Sequence, residues 1–352
     1  MVFGKNDHLV GLDIGSSFVK VAEIRESSKG ISLKKLAVAY LPPGAIEEGS
    51  IREMETVANV IRKLFKSQKI KEKKVAISTG GYSVVVKTIN MPTATEIDLQ
   101  DSIRFEAEQY IPYDIEDVNI DFQIIGTSEF SPDQMNVLLV AAKKDLVAEY
   151  MDLITLAGLN PCIIDVDTFA LQNAYETFCP DNSKGVFMLM DVGASKTSLN
   201  ILRKTTSLMM RDSSFGTAQI RDEIMTVAGV TAQEADQYLN GMVPELISRE
   251  VYLGICDRVS RGWCAEVYNV IRAYQSKSSE GGVERIILSG GGAFVPGFAQ
   301  NLAVEVSTEV AIINPFEKIR IDPGLFSEGY LNQMAPLSTI ALGLALRKVN
   351  DK

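Results

Sequence analysis

A chain of 352 residues, 46% apolar and 23% charged, has the composition of a globular protein of about two domains. Its net charge of −10 supplies no overall field for a phosphate backbone, so nucleic acid is not an expected partner. One histidine, His8, excludes His-based triads elsewhere and multi-histidine metal sites, while Cys162, Cys179, Cys256 and Cys264 form no CxxC pair and read as buried thiols.

In chain order, residues 9–14, 18–24 and 31–40 read as three strands with short connections, stopped by Pro42-Pro43-Gly44. Ile51, Met54, Val57, Ile61, Leu64 and Phe65 then recur at helical spacing, and a short strand over 75–78 closes at Gly80-Gly81. The basic run KSQKIKEKK, residues 66–74, reads as a solvated helix end or loop. An insert over 82–159 follows. It begins with a strand over 83–89, stopped by Met91-Pro92, then a helix over 96–110, strands over 118–125 and 135–142, and a helix over 144–157. CIIDVDTF and ALQNAYETF, a strand and a helix, return the chain to the first half.

From residue 186 the opening pattern is repeated. Strands over 186–190, 197–202 and 207–211 precede a helix after Gly216 whose apolar stripe is Ile220, Ile224, Val227 and Ala228. Helices over 232–239 and 247–274 form an insert, QSKSSEGG reads as a surface linker, and ERIILSGGGAFVPGF gives strand, glycine turn and helix start. PLSTIALGLALRKV reads as one closing helix. Its apolar run is the longest in the chain, but Ser338, Thr339 and Gly343 interrupt it, and it is shorter than the about 20 residues a bilayer requires. The start, MVFGKNDH, has no apolar signal segment, so a cytoplasmic location is expected.

The repeat places two D-x-G-x-S turns 178 residues apart, at Asp13 and Asp191. Gly15 and Gly193 allow sharp bends that bring N–H groups close to a ligand. Ser16, Ser17, Ser195 and Thr197 add hydroxyls, and Lys20 and Lys196 add positive charge. Asp13 and Asp191 are placed to hold the water shell of Mg²⁺, which keeps most of its waters. A third turn, Gly290-Gly291-Gly292, runs toward a helix start at Pro296-Gly297 and suits close approach to an adenosine and its first phosphate. One such turn alone is an Asx-stabilised hairpin; two in a duplicated frame, with a strand–GGG–helix unit, describe a clamp for a polyphosphate. No GxxxxGK[ST] loop is present.

These stretches carry a resemblance. LDIGSSFVKVAEI, MDVGASKTSLNIL and IILSGGGAFVPGF resemble the phosphate-1, phosphate-2 and adenosine motifs of the actin/Hsp70/sugar-kinase superfamily. SFGTAQIRDEI is similar to the segment after phosphate-2 in FtsA, and the 82–159 insert falls where FtsA-like proteins carry a strand-helix-strand-strand 1C subdomain. FEAEQYIPYDIEDVNIDFQII and INPFEKI resemble the PilM family of type IV pilus assembly proteins.

The resemblance implies an actin-like (ribonuclease H-like) duplicated α/β fold. Its first half would be 1–81 with 160–185, its 1C-type insert 82–159, and its second half 186–352 with an inserted subdomain over about 217–283. It implies ATP or ADP with Mg²⁺ held by Asp13, Gly15, Ser16, Ser17, Lys20, Asp191, Gly193, Ser195, Lys196, Thr197, Gly216, Gly290, Gly291 and Gly292. It further implies a cytoplasmic protein that binds the N-terminal cytoplasmic tail of inner-membrane PilN, in a groove involving the first half and the insert. That contact would join it to the PilN–PilO–PilP platform and the pilus motor ATPases.

Hydrolysis needs a group that positions or deprotonates water. Asp165 and Asp167 are the candidates, with Gln172 behind them; the competing reading of Asp167 is a cap for the helix that follows it. Nucleotide binding without fast turnover is the expectation. Two alternatives remain: an FtsA-like polymer, which would want an amphipathic tail that the ending LRKVNDK does not supply, and a small-molecule kinase of the same superfamily.

Overall fold

The computed structural model describes residues 8–81, 83–128, 131–179, 185–239, 246–278, 280–349 and 351. The start MVFGKNDH (but for His8), the insert boundary at Tyr82, and Lys184 and Ser279 of the expected connections lie outside these residues.

Chain order gives β1 (Val10–Ile14), β2 (Phe18–Ser27), β3 (Gly30–Tyr40), the two-residue strands β4 (Ile46–Glu47) and β5 (Ser50–Ile51), α1 (Met54–Ser67) and β6 (Lys74–Thr79). Next come β7 (Val84–Pro92), α2 (Glu96–Ala107), β8 (Val118–Thr127), β9 (Gln134–Lys143), α3 (Lys144–Leu156), β10 (Asn160–Val166) and α4 (Asp167–Phe178). The second half supplies β11 (Val186–Val192), β12 (Thr197–Arg203), β13 (Thr206–Ser213), α5 (Ala218–Ala228), α6 (Ala232–Leu239) and α7 (Arg249–Gln275). It continues through β14 (Val283–Ser289), α8 (Phe298–Val306), β15 (Glu309–Ile312), β16 (Arg320–Ile321), α9 (Glu328–Leu337) and α10 (Thr339–Ala345).

The chain divides into two compact units, Met1–Thr79 with Leu153–Lys352, and Gly80–Asp152. The larger unit has two sheets of matching order. One runs β10-β6-β1-β2-β3-β16 and the other β13-β12-β11-β14-β15. In each, the first strand pairs antiparallel with the second and the second with the third, and parallel with the fourth, which pairs parallel with the fifth. That identity of order and direction is the structural form of the duplication.

Both faces of the second sheet are buried, which explains its unbroken apolar run VFMLM. Met188, Met190 and Val192 face a core with Trp263 and Phe298, while Phe187 and Leu189 face the other way. This second set meets Ala170, Leu171 and Tyr175 of α4 and Ile340 and Leu344 of α10, so the two helices lie between the sheets and share one core with both. The chain's end is therefore bound to its start: β16 pairs with β3, and α10 seats against β1 so closely that a Cβ on Gly11 would lie 2.0 Å from the Ala341 carbonyl oxygen.

The smaller unit is an antiparallel sheet, β7-β9-β8, with α2 on one face. Leu99, Ile103 and Ala107 recur every four residues and bury against Val137, Leu139 and Ile89. Thr95 caps the helix by accepting a hydrogen bond from the Asp98 amide at 3.2 Å.

Four local expectations are corrected. The first insert strand runs on through Met91 and Pro92, because β7 is an edge strand that tolerates the missing N–H. The helix expected to reach residue 110 ends at Ala107. Val227 is half exposed rather than part of the buried stripe of α5. The single closing helix is two, α9 and α10, broken at Ser338 just after Pro336, where the Ser338 and Thr339 hydroxyls donate back to the Met334 and Ala335 carbonyls.

Candidate functional site

The strands β1 and β11 end in Asp13 and Asp191, and each then turns back through a hairpin of the same design. The Gly15 amide donates to the Phe18 carbonyl at 3.0 Å, and the Gly193 amide to the Lys196 carbonyl at 2.9 Å. The two hairpin tips meet, with Ser16 Oγ and Ser195 Oγ sharing a hydrogen bond at 3.0 Å. Residues 179 positions apart are thereby brought face to face by the duplicated sheets.

Charge gathers behind these tips. Lys20 Nζ, one pair inward on β2, donates to Asp13 Oδ2 at 2.8 Å. Lys196 Nζ reaches from the second hairpin to Asp167 Oδ2 at 2.6 Å, with Asp212 Oδ2 at 3.7 Å. Burial pushes the Asp13 carboxyl up, with Lys20 opposing it, whereas for Asp167 the same burial is outweighed by Lys196 and its carboxyl is held low. Asp191 is pushed up to about 6, by burial first and by the neighbouring Asp13 charge, with Lys20 opposing. The strand ends and the start of α4 thus gather four carboxylates, Asp13, Asp167, Asp191 and Asp212, around two ammonium groups, Lys20 and Lys196.

The sign of the Asp191 shift gives a test. Its carboxyl rises from an ordinary 3.8 to about 6, so ionising it costs folding free energy, about 1–3 kcal/mol at full ionisation. The cost is absent below pH 4 and grows as pH rises through 6. Asp191→Asn is therefore expected to melt higher than the parent at pH 8 and like it at pH 4. Equal differences at the two pH values in thermal melts would remove the electrostatic reading.

Several predicted residues do other work. Thr197 is fully buried and donates to the Phe215 carbonyl at 2.9 Å, so its hydroxyl braces the hairpin rather than facing a ligand. Gly216 lets the start of α5 press on the second hairpin, since a Cβ there would lie 2.4 Å from the Ala194 carbonyl oxygen. The Thr217 and Ala218 amides donate to the Gly193 and Ala194 carbonyls, completing that contact. Gly290, at φ +81°, and Gly292 are pressed onto Val192, with a Cβ placed 2.4 Å from its carbonyl oxygen and 2.2 Å from its Cγ1 respectively. Gly291 has room for a side chain, its nearest neighbour being Leu337 at 3.8 Å.

The candidate water-activating groups are engaged as well. Asp165 faces Arg347, 3.4 Å from its Nε, and is not brought into the cluster. Asp167 is the first residue of α4, one past the N-cap position at Val166, and its carboxylate is held by Lys196. Gln172 takes hydrogen bonds from Asn200 and Ser207 and donates to the Thr205 carbonyl, tying α4 to the second sheet.

Two cations escaped sequence reasoning. A cleft of about 460 Å³ beside the tips is lined by Ser16, Ser17 and Ser195 and also by Arg52, Glu48 and Arg221. Arg221 sits one turn into α5, inside SFGTAQIRDEI, and was within reach of the motif. Arg52 follows β5, in an irregular stretch with no periodic signal. Arg221 lies 3.9 Å from Asp236, which also accepts a 2.9 Å hydrogen bond from the Tyr40 hydroxyl, so the end of β3 is linked to α6.

Two five-strand cores of equal order, sharing helices between them and presenting paired hairpins, define the duplicated actin-like α/β fold. Solved structures agree: the chain is similar to one titled PilM-PilN type IV pilus biogenesis complex, with 26% identity, TM-score 0.87, and 98% of this chain and 99% of that one covered. It is also similar to the ethanolamine utilization protein EutJ from Carboxydothermus hydrogenoformans, at 12% identity and TM-score 0.58, over 96% and 89% of the two chains. The sequence model of the type IV pilus assembly protein PilM matches residues 11–349, and the chain belongs to that family. Among the described residues, no helix is long and apolar enough to cross a membrane.

Proposed function

We propose that this protein is a nucleotide-binding component of the type IV pilus assembly platform that holds Mg-ATP or Mg-ADP between its twin hairpins and binds the cytoplasmic tail of PilN. The observation that carries the nucleotide reading is the 3.0 Å meeting of Ser16 and Ser195 in front of Asp13, Lys20, Asp191, Lys196 and Asp167. Phosphate oxygens would take the hydroxyls and turn amides of the tips, and Arg52 and Arg221 line the adjoining cleft.

A hydrated Mg²⁺ fits this donor set. No group of three His, Cys, Asp or Glu among the described residues gathers closely enough to hold a metal alone, so water and phosphate would complete its shell. Asp13 and Asp191, both raised by burial and Asp191 to about 6, are carboxylates that a cation would relieve. Asp165, Asp167 and Gln172 each already serve a protein partner, which favours holding the nucleotide over spending it.

PilN as partner rests on family membership and on the likeness to the PilM-PilN complex over nearly the whole of both chains. Links onward to PilO, PilP and the motor ATPases follow the family alone. Titration of the full chain with a synthetic PilN N-terminal peptide should give saturable binding in the micromolar range. No saturation by about 1 mM, where binding is worth only about 4 kcal/mol, would overturn the partner reading.

A further inference from the structure

The smaller unit carries the acidity of the whole chain. Residues 80–152 contain fourteen Asp and Glu against four Lys and Arg, a net charge of −10, and the remainder of the chain carries 31 of each sign. All four cations are occupied within the unit: Lys87 donates to the Tyr110 carbonyl, Arg104 pairs with Glu116, Lys144 donates to the Glu116 carbonyl, and Lys143 lies over the Tyr113 ring.

On this acidic body α2 shows two stripes. Leu99, Ile103 and Ala107 are buried. Ile97, Asp101 and Phe105 stand two positions earlier on the same four-residue spacing, about 200° around the helix and so on the opposite face. Ile97 is 77% exposed and Phe105 71% exposed, about 12 Å apart along the axis, with Asp98, Asp101 and Glu108 exposed around them. Scattered surface apolar residues are ordinary, but two large ones aligned on one helix face within a net −10 module are not scattered.

We propose that this face of α2 is a docking site for a protein partner whose contact surface is basic with an apolar centre. Phe105 and Ile97 would fill apolar sockets, and the carboxylates would draw and orient the partner's Lys and Arg. Anionic lipid and nucleic acid are repelled by the same charge, and a second copy of the face would meet like charge.

The test uses the full chain and two labelled 18-residue amphipathic peptides, one with Leu opposite Lys and its twin with Leu opposite Glu. Fluorescence anisotropy should show the Lys peptide binding and the Glu peptide not, with affinity falling as salt rises. Ile97→Ser/Phe105→Ser should lower that affinity at least about tenfold, and Asp101→Lys/Glu108→Lys should do the same at low salt. All four positions are exposed, so both variants should melt like the parent and keep the parent affinity for Mg-ATP and the PilN peptide. Failure of the Lys peptide to bind, equal binding of the Glu peptide, or binding unchanged in both variants would overturn the proposal. So would concentration-dependent self-association, or binding to phosphatidylglycerol vesicles, that the Ser variant abolishes.

Discussion

Asp191→Ala is expected to weaken Mg-ATP binding about 10- to 100-fold, the usual range for a group that orients a metal's ligand shell, and Asp13→Ala to do likewise. The two carboxylates end equivalent strands of the duplicated sheets and stand behind hairpins that touch at 3.0 Å. They differ in one respect that separates the variants. Asp13 is paired with Lys20 at 2.8 Å, so its removal also frees a buried ammonium and should lower stability. Burial raises the Asp191 carboxyl to about 6 against the opposition of Lys20 and a Ser289 hydrogen bond, so its loss should cost affinity without lowering stability at neutral pH. Asp165→Asn is the contrast: Asp165 faces Arg347 rather than the hairpin cluster, so Mg-ATP affinity should be unchanged. Titration calorimetry on the three variants, with thermal melts alongside, checks the set. Unchanged affinity in both Asp13→Ala and Asp191→Ala would sink the two-hairpin clamp.

Gly343→Ala is expected to cost about 3 kcal/mol or more. A Cβ at this position would lie 1.8 Å from the Ala170 carbonyl oxygen, a backbone atom of α4 that has no side-chain freedom with which to retreat. α10 and α4 must then separate, and with them the core they share with both sheets through Leu171, Tyr175, Ile340 and Leu344. Gly254→Ala, on α7 where nothing lies within 4 Å, should instead stabilise by about 0.5–1 kcal/mol, through helix propensity. Urea midpoints of the pair decide the matter. A loss at Gly343 no larger than an exposed-site effect would mean that the closing helix is not the keystone between the halves.

The sequence was most informative where the chain repeats a pattern. Asp13 and Asp191 announced the duplication, and the order of the two sheets follows from strands whose apolar runs and glycine turns recur in the same order. The tip glycines were legible from the repeat itself, and at Gly193 the structure adds a close approach, a Cβ there lying 3.0 Å from the Lys196 carbonyl oxygen. The roles of Gly216, Gly290, Gly292 and Thr197 were not legible, since a glycine required for ligand approach and one required for backbone packing are spelled alike. Only neighbours distant in sequence, Ala194 for Gly216 and Val192 for the other two glycines, distinguish them.

Carboxylates posed the same difficulty. Asp165 and Asp167 are two residues apart, yet one faces Arg347, 182 positions onward, and the other Lys196. No local pattern foretells such partners. Arg52 lies in a stretch with neither helical nor strand period, and the break between α9 and α10 is masked by an apolar run that continues past Pro336.

A crystal structure of the chain grown with Mg-ATP and the PilN peptide tests most directly that the paired hairpins hold a nucleotide's phosphates. Phosphate density should be seated on both turns, with Ser16 and Ser195 each bonded to phosphate oxygen and the cation's waters directed at Asp13 and Asp191. Phosphate density away from the hairpins, with the Ser16–Ser195 contact intact at saturating nucleotide, would contradict it.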